Sequence, residues 1–194
     1  MENKLNARDF INIGIFTALY FVIVFIVAFI GYVPILMDIM PAVCALFGAI
    51  PFMLFLTRTK KFGMVTIMAV ILGLLTLLLG RPWPAIVIAA VAGLLADFYL
   101  KSTGYSSRKK AVVGCGIFSL WMVGMALPMF FGYRDAYMES LRPGYGDAYV
   151  DQITALTPSW VFWALVVTIF LGGLIGALIG GAILKKHFLK AGMA

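Results

Sequence analysis

Apolar residues fall into six long runs, at about 10–30, 41–57, 62–80, 85–100, 111–131 and 159–184, with short polar, glycine or proline breaks between them. Each run is apolar around most of its circumference, Thr66, Thr76 and Thr168 being among the few polar positions, the pattern of helices buried on all sides or surrounded by lipid. A helix needs roughly 20 apolar residues to cross the hydrocarbon layer. The second and fourth runs, at 17 and 16 residues, are the short ones and call for tilt or a re-entrant piece. Asn6 or Asp9 can cap the first helix, and Pro41, Pro84 and Pro158 stand where three others begin, in the first turn or just before it, where a missing N–H costs nothing. The expected fold is all-α: a polytopic membrane protein forming one six-transmembrane-helix bundle over residues 1–194.

Composition agrees. Apolar residues are 63% of the 194 positions and charged residues 12%, against about 45–50% and 25% in soluble domains. The formal charge of +7 does not imply nucleic acid, because the charges lie between the runs. Twelve of the fifteen Lys and Arg fall on one side: Lys4 and Arg8; Arg58, Lys60 and Lys61; Lys101 and Arg108 to Lys110; Lys185, Lys186 and Lys190. The other side has Arg81, Arg134 and Arg142 with Asp38, Asp135, Glu139, Asp147 and Asp151. The positive-inside rule then places both termini in the cytoplasm of a bacterial cell membrane. The first run is too long for a cleavable signal and lacks a small-residue cleavage site. Cys44 and Cys115 are expected at opposite depths of the bilayer, too far apart for a disulfide.

Three features could carry function. Gly14 and Ala18 on the first helix, Ala85, Ala89 and Gly93 on the fourth, and Gly172, Gly176 and Gly180 on the sixth have the small-xxx-small spacing that lets helices approach closely in lipid. The later two read as packing within the chain, and Gly14 with Ala18 as a docking patch for another membrane protein. The outer connections, above all the long one from Gly132 to Pro158, are rich in aromatic and charged residues. Asp38, Arg81, Trp83, Tyr133, Arg134, Tyr137 and Trp160 there form a candidate binding site. Guanidinium groups would hold an anionic end and flat rings an apolar body, with the long loop as lid. The competing reading for any one ring is an interfacial aromatic belt. Asp97, near the inner end of the fourth helix, has Lys101 four residues on as a natural salt-bridge partner.

No phosphate-binding loop, HExxH or GxSxG sequence occurs, and the lone His187 lies in the tail. No cofactor or metal site is expected and no enzyme; uptake, if that is the role, would need energy from elsewhere. An oligomeric channel would need a polar helix face, and a stand-alone carrier an acid–base relay.

The segment from Arg8 to Tyr20 (RDFINIGIFTALY), the stretch from Gly48 to Gly63 (GAIPFMLFLTRTKKFG) and Gly93 to Asp97 (GLLAD) resemble the Trep_Strep, or MptD-like, family along the whole chain. That family is placed among substrate-binding (S) components of energy-coupling factor (ECF) transporters. The resemblance implies a six-helix fold of the ECF S-component type that captures a micronutrient from outside. Two cytoplasmic ATPase subunits and a membrane coupling protein would drive its release by toppling it in the bilayer. Such S components meet the coupling protein through an AxxxA-like patch on the first helix. Gly14 and Ala18 occupy that spacing here, with Gly in place of the first Ala. The ligand is left open among vitamins, amino-acid derivatives and tetrapyrroles; the outer arginines favour an anion.

Overall fold

The computed structural model describes residues 4–190; the side chains of 187–190, His187 and Lys190 included, lie outside that description. Among the described residues every regular element is helical. In chain order they are α1 (Ala7–Val27, with a 3-10 extension over Ala28–Tyr32), α2 (Pro34–Met37), α3 (Met40–Leu56), α4 (Met64–Leu78), α5 (Pro84–Lys101), α6 (Arg108–Ser119), α7 (Val123–Ala126), α8 (Arg134–Tyr145), α9 (Asp147–Leu156) and α10 (Ser159–Lys190). Single 3-10 turns at Leu120–Met122 and Leu127–Met129 flank α7. The fifth run is thus one broken rod from Arg108 to Met129, its last turn containing Pro128.

Four helical stretches are long and apolar enough to cross a membrane: Ala7–Tyr32, Pro84–Lys101, Arg108–Met129 and Ser159–Lys186. The helices Met40–Leu56 and Met64–Leu78 are apolar but shorter. The sequence marks the second and fourth runs as short; in the structure the short ones are the second and third, because Gly63 at φ +100° starts α4 late and Gly80 at φ +78° ends it early. The exterior is apolar: Ile11, Ile15, Ile26, Leu78, Leu95, Phe98, Trp163 and Ile175 all point outward. Water would not tolerate so continuous an apolar surface; lipid does.

Packing follows the small residues. α10 lies along α3, where a Cβ on Gly172 or Gly176 would run into the carbonyl oxygens of Ala42 and Leu46, and one on Gly180 would lie 3.2 Å from Ile50 Cα. Gly93 of α5 admits Ala69 and Thr66 of α4, and Gly73 of α4 admits Ile86 of α5. Close backbone approach of this kind supplies association energy where no water remains to drive it. Gly14 is different: no atom lies within 4 Å of where its Cβ would be, and Ala18 is exposed on the same face.

The polar ends are tied in order. Asn6 Oδ1 accepts from Asp9 N at 3.0 Å and Asp9 Oδ2 from Asn6 N at 2.9 Å, a reciprocal capping box, so both residues cap α1. Lys61 Nζ reaches Asp9 Oδ2 at 2.7 Å, pinning the α3–α4 connection to the start of α1. Asp97 does not pair with Lys101. Fully buried, its Oδ2 accepts from Gly63 N (2.8 Å), Thr66 N (3.1 Å) and Thr66 Oγ1 (2.9 Å), and its Oδ1 from the Tyr105 hydroxyl (2.5 Å). Lys101 Nζ instead lies over the Phe62 ring, 4.9 Å from its centroid. The physical reason is that Gly63 gives α4 no side-chain cap, so a carboxylate from α5 takes the orphan N–H groups and the positive helix end. Cys44 and Cys115 are both buried and free.

Candidate functional site

The connection expected as a long loop, 132–158, is two helices, α8 and α9, folded over one end of the bundle. Tyr137 and Met138 of α8 and Val150 and Ile153 of α9 turn inward, the second pair at the three-residue spacing of one helical face. Arg142 holds the pair together, reaching Glu139 at 2.8 Å, Asp147 at 3.1 Å and Asp151 at 2.9 Å. These hydrogen bonds, donated to three carboxylates, raise its already high pKa further. Arg134 donates to Thr154 O at 3.0 Å and Thr157 Oγ1 at 3.2 Å, securing the far end of α9.

Beneath this cap lies a cavity of about 480 Å³, well within the range of small-molecule sites. It is bounded by the outer end of α1 with its 3-10 extension, the α2–α3 link, the α4–α5 turn, the broken rod after α6, and α8. Its floor is the Tyr20 hydroxyl accepting from Trp121 Nε1 at 3.1 Å. Tyr20 reaches this position because Gly48 of α3 leaves room for its ring. One wall is a run of neighbouring rings, Phe21, Phe25, Phe29, Tyr32 and Tyr145, with successive centroids 6.0, 5.5, 5.9 and 5.6 Å apart. Tyr145 stacks in turn on Tyr149 at 4.8 Å, whose hydroxyl donates to Gly31 O and so joins the cap to the end of α1.

Two charged groups line the cavity, Asp38 and Arg81. Each is half-buried, and among the described residues neither forms an ion pair. Burial pushes the Asp38 carboxyl above its ordinary value. Arg81 faces the cap: burial raises the Tyr137 phenol while the nearby guanidinium pulls it back. The Tyr149 phenol is pushed up to about 12, first by burial and then by Tyr145, with Arg81 again opposing. These hydroxyls are therefore donors at neutral pH, arranged around a guanidinium with free hydrogen-bonding capacity.

Of the seven residues proposed for the site, the structure brings Asp38, Arg81 and Tyr137 to the cavity. Trp83, Tyr133 and Trp160 stay outside it, at 62%, 43% and 69% exposure, which is where an interfacial belt places its rings. Arg134 is occupied by α9. Missed were the α1 rings, the Tyr20–Trp121 floor, and the methionines of the wall, among them Met37, Met40, Met122 and Met125. The recurrence of Phe21, Phe25 and Phe29 at four-residue spacing was a legible signal, though no different in kind from a lipid-facing stripe. Among the described residues no three His, Cys, Asp or Glu side chains converge as a metal site would require.

Residues 7–190 match a family described as hypothetical bacterial integral membrane protein (Trep_Strep). The chain belongs to the Trep_Strep family. The matched stretch includes the whole cavity, its cap and α10, so in this Trep_Strep protein the site is part of the family's own domain. Comparison with curated proteins and with solved structures returns no match.

Proposed function

We propose that the chain is the substrate-capturing membrane subunit, or S component, of an ECF-type importer of a micronutrient, a bundle of six membrane helices in which α3 and α4 count as spans. The observation that carries this reading is the cavity: under a helical cap, walled by aromatic rings, and provided with an Arg81 guanidinium that no carboxylate among the described residues neutralises. With both termini cytoplasmic by the positive-inside rule, that cavity opens to the outside, where a nutrient is met. Arg81 then holds an anionic end by charge-assisted hydrogen bonds, and α8–α9 is the lid.

The energy comes from partners. The sequence has no phosphate-binding loop, so two cytoplasmic ATPase subunits and a membrane coupling protein supply it. Gly14 and Ala18, small, exposed and unused by this chain's own packing, are the contact for the coupling protein. Affinity purification of the chain co-expressed with those proteins is the test. Gly14→Leu and Ala18→Leu should abolish the complex while the isolated chain still binds its co-purifying small molecule. The purified chain in liposomes should bind that molecule without concentrating it; uptake against a gradient by the chain alone would establish a secondary carrier instead.

A further inference from the structure

Resting on the substrate-capture reading of the same cavity, we propose that its ligand is a zwitterion with a planar aromatic body, its acid group held by Arg81 and its protonated amine by Asp38. The cavity carries one group of each sign. Asp38 sits on the link between α2 and α3, and Arg81 on the turn between α4 and α5. Both line the same space, yet they do not pair with one another, and among the described residues no other ion partner reaches either. A half-buried charge without a partner is unfavourable in the empty protein and becomes a source of affinity once a ligand supplies the counter-charge.

The sign of each group sorts the candidates. A ligand that is only an acid satisfies Arg81 and brings like charge into a cavity that also holds Asp38. A ligand that is only an amine does the reverse with Arg81. A neutral ligand strips water from both and repays neither. A molecule that carries both an acid and an amine answers both at once. Burial, which raises the Asp38 carboxyl, is offset by no cation among the described residues; a ligand ammonium would supply that offset.

The body of the ligand follows from the wall. The rings from Phe21 to Tyr145 form a continuous surface at stacking distances, which suits a flat ring system in offset or edge-on contact. Methionines complete the wall with unbranched side chains that adapt to the outline of a ring. Space of about 480 Å³ takes a bicyclic ring with both end groups.

Three indoles that differ only at their ends test this: L-tryptophan, with acid and amine; indole-3-propionate, with acid alone; tryptamine, with amine alone. They are titrated calorimetrically into the purified full chain in detergent. L-Tryptophan should bind at least about tenfold tighter than either single-ended analogue, the effect of one added charge-assisted contact. Arg81→Gln should erase its advantage over tryptamine, and Asp38→Asn its advantage over indole-3-propionate. Asp38→Asn is isosteric and Arg81→Gln a shorter, neutral replacement, and among the described residues neither position has an ion partner to lose, so the fold is retained. Equal binding of indole-3-propionate and L-tryptophan, with Arg81→Gln weakening both, would overturn the zwitterion and leave anion capture standing. Failure of all three indoles to bind would overturn it equally, and the substrate-capture reading would then rest on its own test, assembly with the ATPases.

Discussion

Replacing Asp97 tests whether that residue caps α4 or merely balances Lys101. In the structure its carboxylate is fully buried and accepts four hydrogen bonds from Gly63 N, Thr66 N, Thr66 Oγ1 and Tyr105 Oη. Asp97→Ala leaves two backbone N–H groups of the α4 N-terminus without an acceptor, each costing about 1–3 kcal/mol when buried. The two hydroxyls can rotate to other acceptors and contribute less. A denatured state in detergent finds partners of its own, which favours the lower part of the range and gives a loss of about 3 kcal/mol. Asp97→Asn keeps an acceptor oxygen for the three bonds at Oδ2 and can place its amide against the Tyr105 hydroxyl, which then accepts. It gives up the charge opposite the helix dipole, about 0.3–1 kcal/mol, and should cost about 1 kcal/mol in all. Lys101→Ala removes a cation over the Phe62 ring and should cost under about 1 kcal/mol. Thermal unfolding in detergent, followed by circular dichroism, ranks the three. A Lys101→Ala protein destabilised as much as Asp97→Ala would refute the capping account and restore the salt bridge.

Gly176→Leu should prevent folding or cost about 3 kcal/mol or more, since a side chain there enters the α3 backbone at Leu46; Gly14→Leu, in open space, should leave the unfolding temperature unchanged. Arg142→Ala removes the group that bridges three carboxylates of the cap, so limited proteolysis between residues 132 and 158 should speed up while the rest of the bundle stays resistant. Arg81→Ala should weaken binding of the co-purifying ligand by about 1.5–3 kcal/mol. Arg134→Ala, which frees the end of α9, should show itself chiefly as faster cleavage of the cap. Equal affinity losses at the two arginines would mean that Arg134 turns to the ligand.

The membrane helices were legible because the signal for them is strong and local. Unbroken apolar runs leave a chain no choice but helices whose backbone is satisfied internally, and a helix begins within three residues of each expected start, though the fifth run is broken and α10 continues to Lys190. The N-terminus of α1 was equally plain, since Asn6 and Asp9 have the three-residue spacing of a capping box. What the runs could not reveal was which polar group meets which. Asp97 and Lys101 are four apart on one helix, the spacing of a surface ion pair, but Asp97 faces the neighbouring helix, whose N-cap residue, Gly63, has no side chain to cap with. That preference is set by packing that brings together groups 34 and 31 positions apart in the chain. It has no signature along α5 itself.

The cap shows the opposite difficulty. Residues 132–158 read as a loop because Gly132, Pro143, Gly144, Gly146 and Pro158 punctuate them, yet Tyr137, Met138 and Leu141, then Val150 and Ile153, hold helical spacing between those breaks. Pro143 sits in the last turn of α8 and Gly146, at φ +84°, forms the corner into α9. The glycines and prolines mark where two short helices meet. Recognising the site depended on that reversal. Had the segment been a mobile loop, its tyrosines would have been interchangeable with Trp83 and Trp160 at the interface. Folded as a hairpin locked by Arg142, it sets Tyr137 against Arg81 and Tyr145 against Tyr32, and leaves Arg134 to hold α9. The aromatic residues of this face therefore divide by position: Tyr137 and the rings near it line the cavity, while Trp83, Tyr133 and Trp160 stay exposed outside it. The same division separates the glycines, with Gly172 and Gly176 spent on α3 and Gly14 left open. On the proposed reading, function in so uniformly apolar a chain is carried by the few positions that internal packing does not consume: Asp38 and Arg81, which have no ion partner among the described residues, and the bare Gly14–Ala18 face.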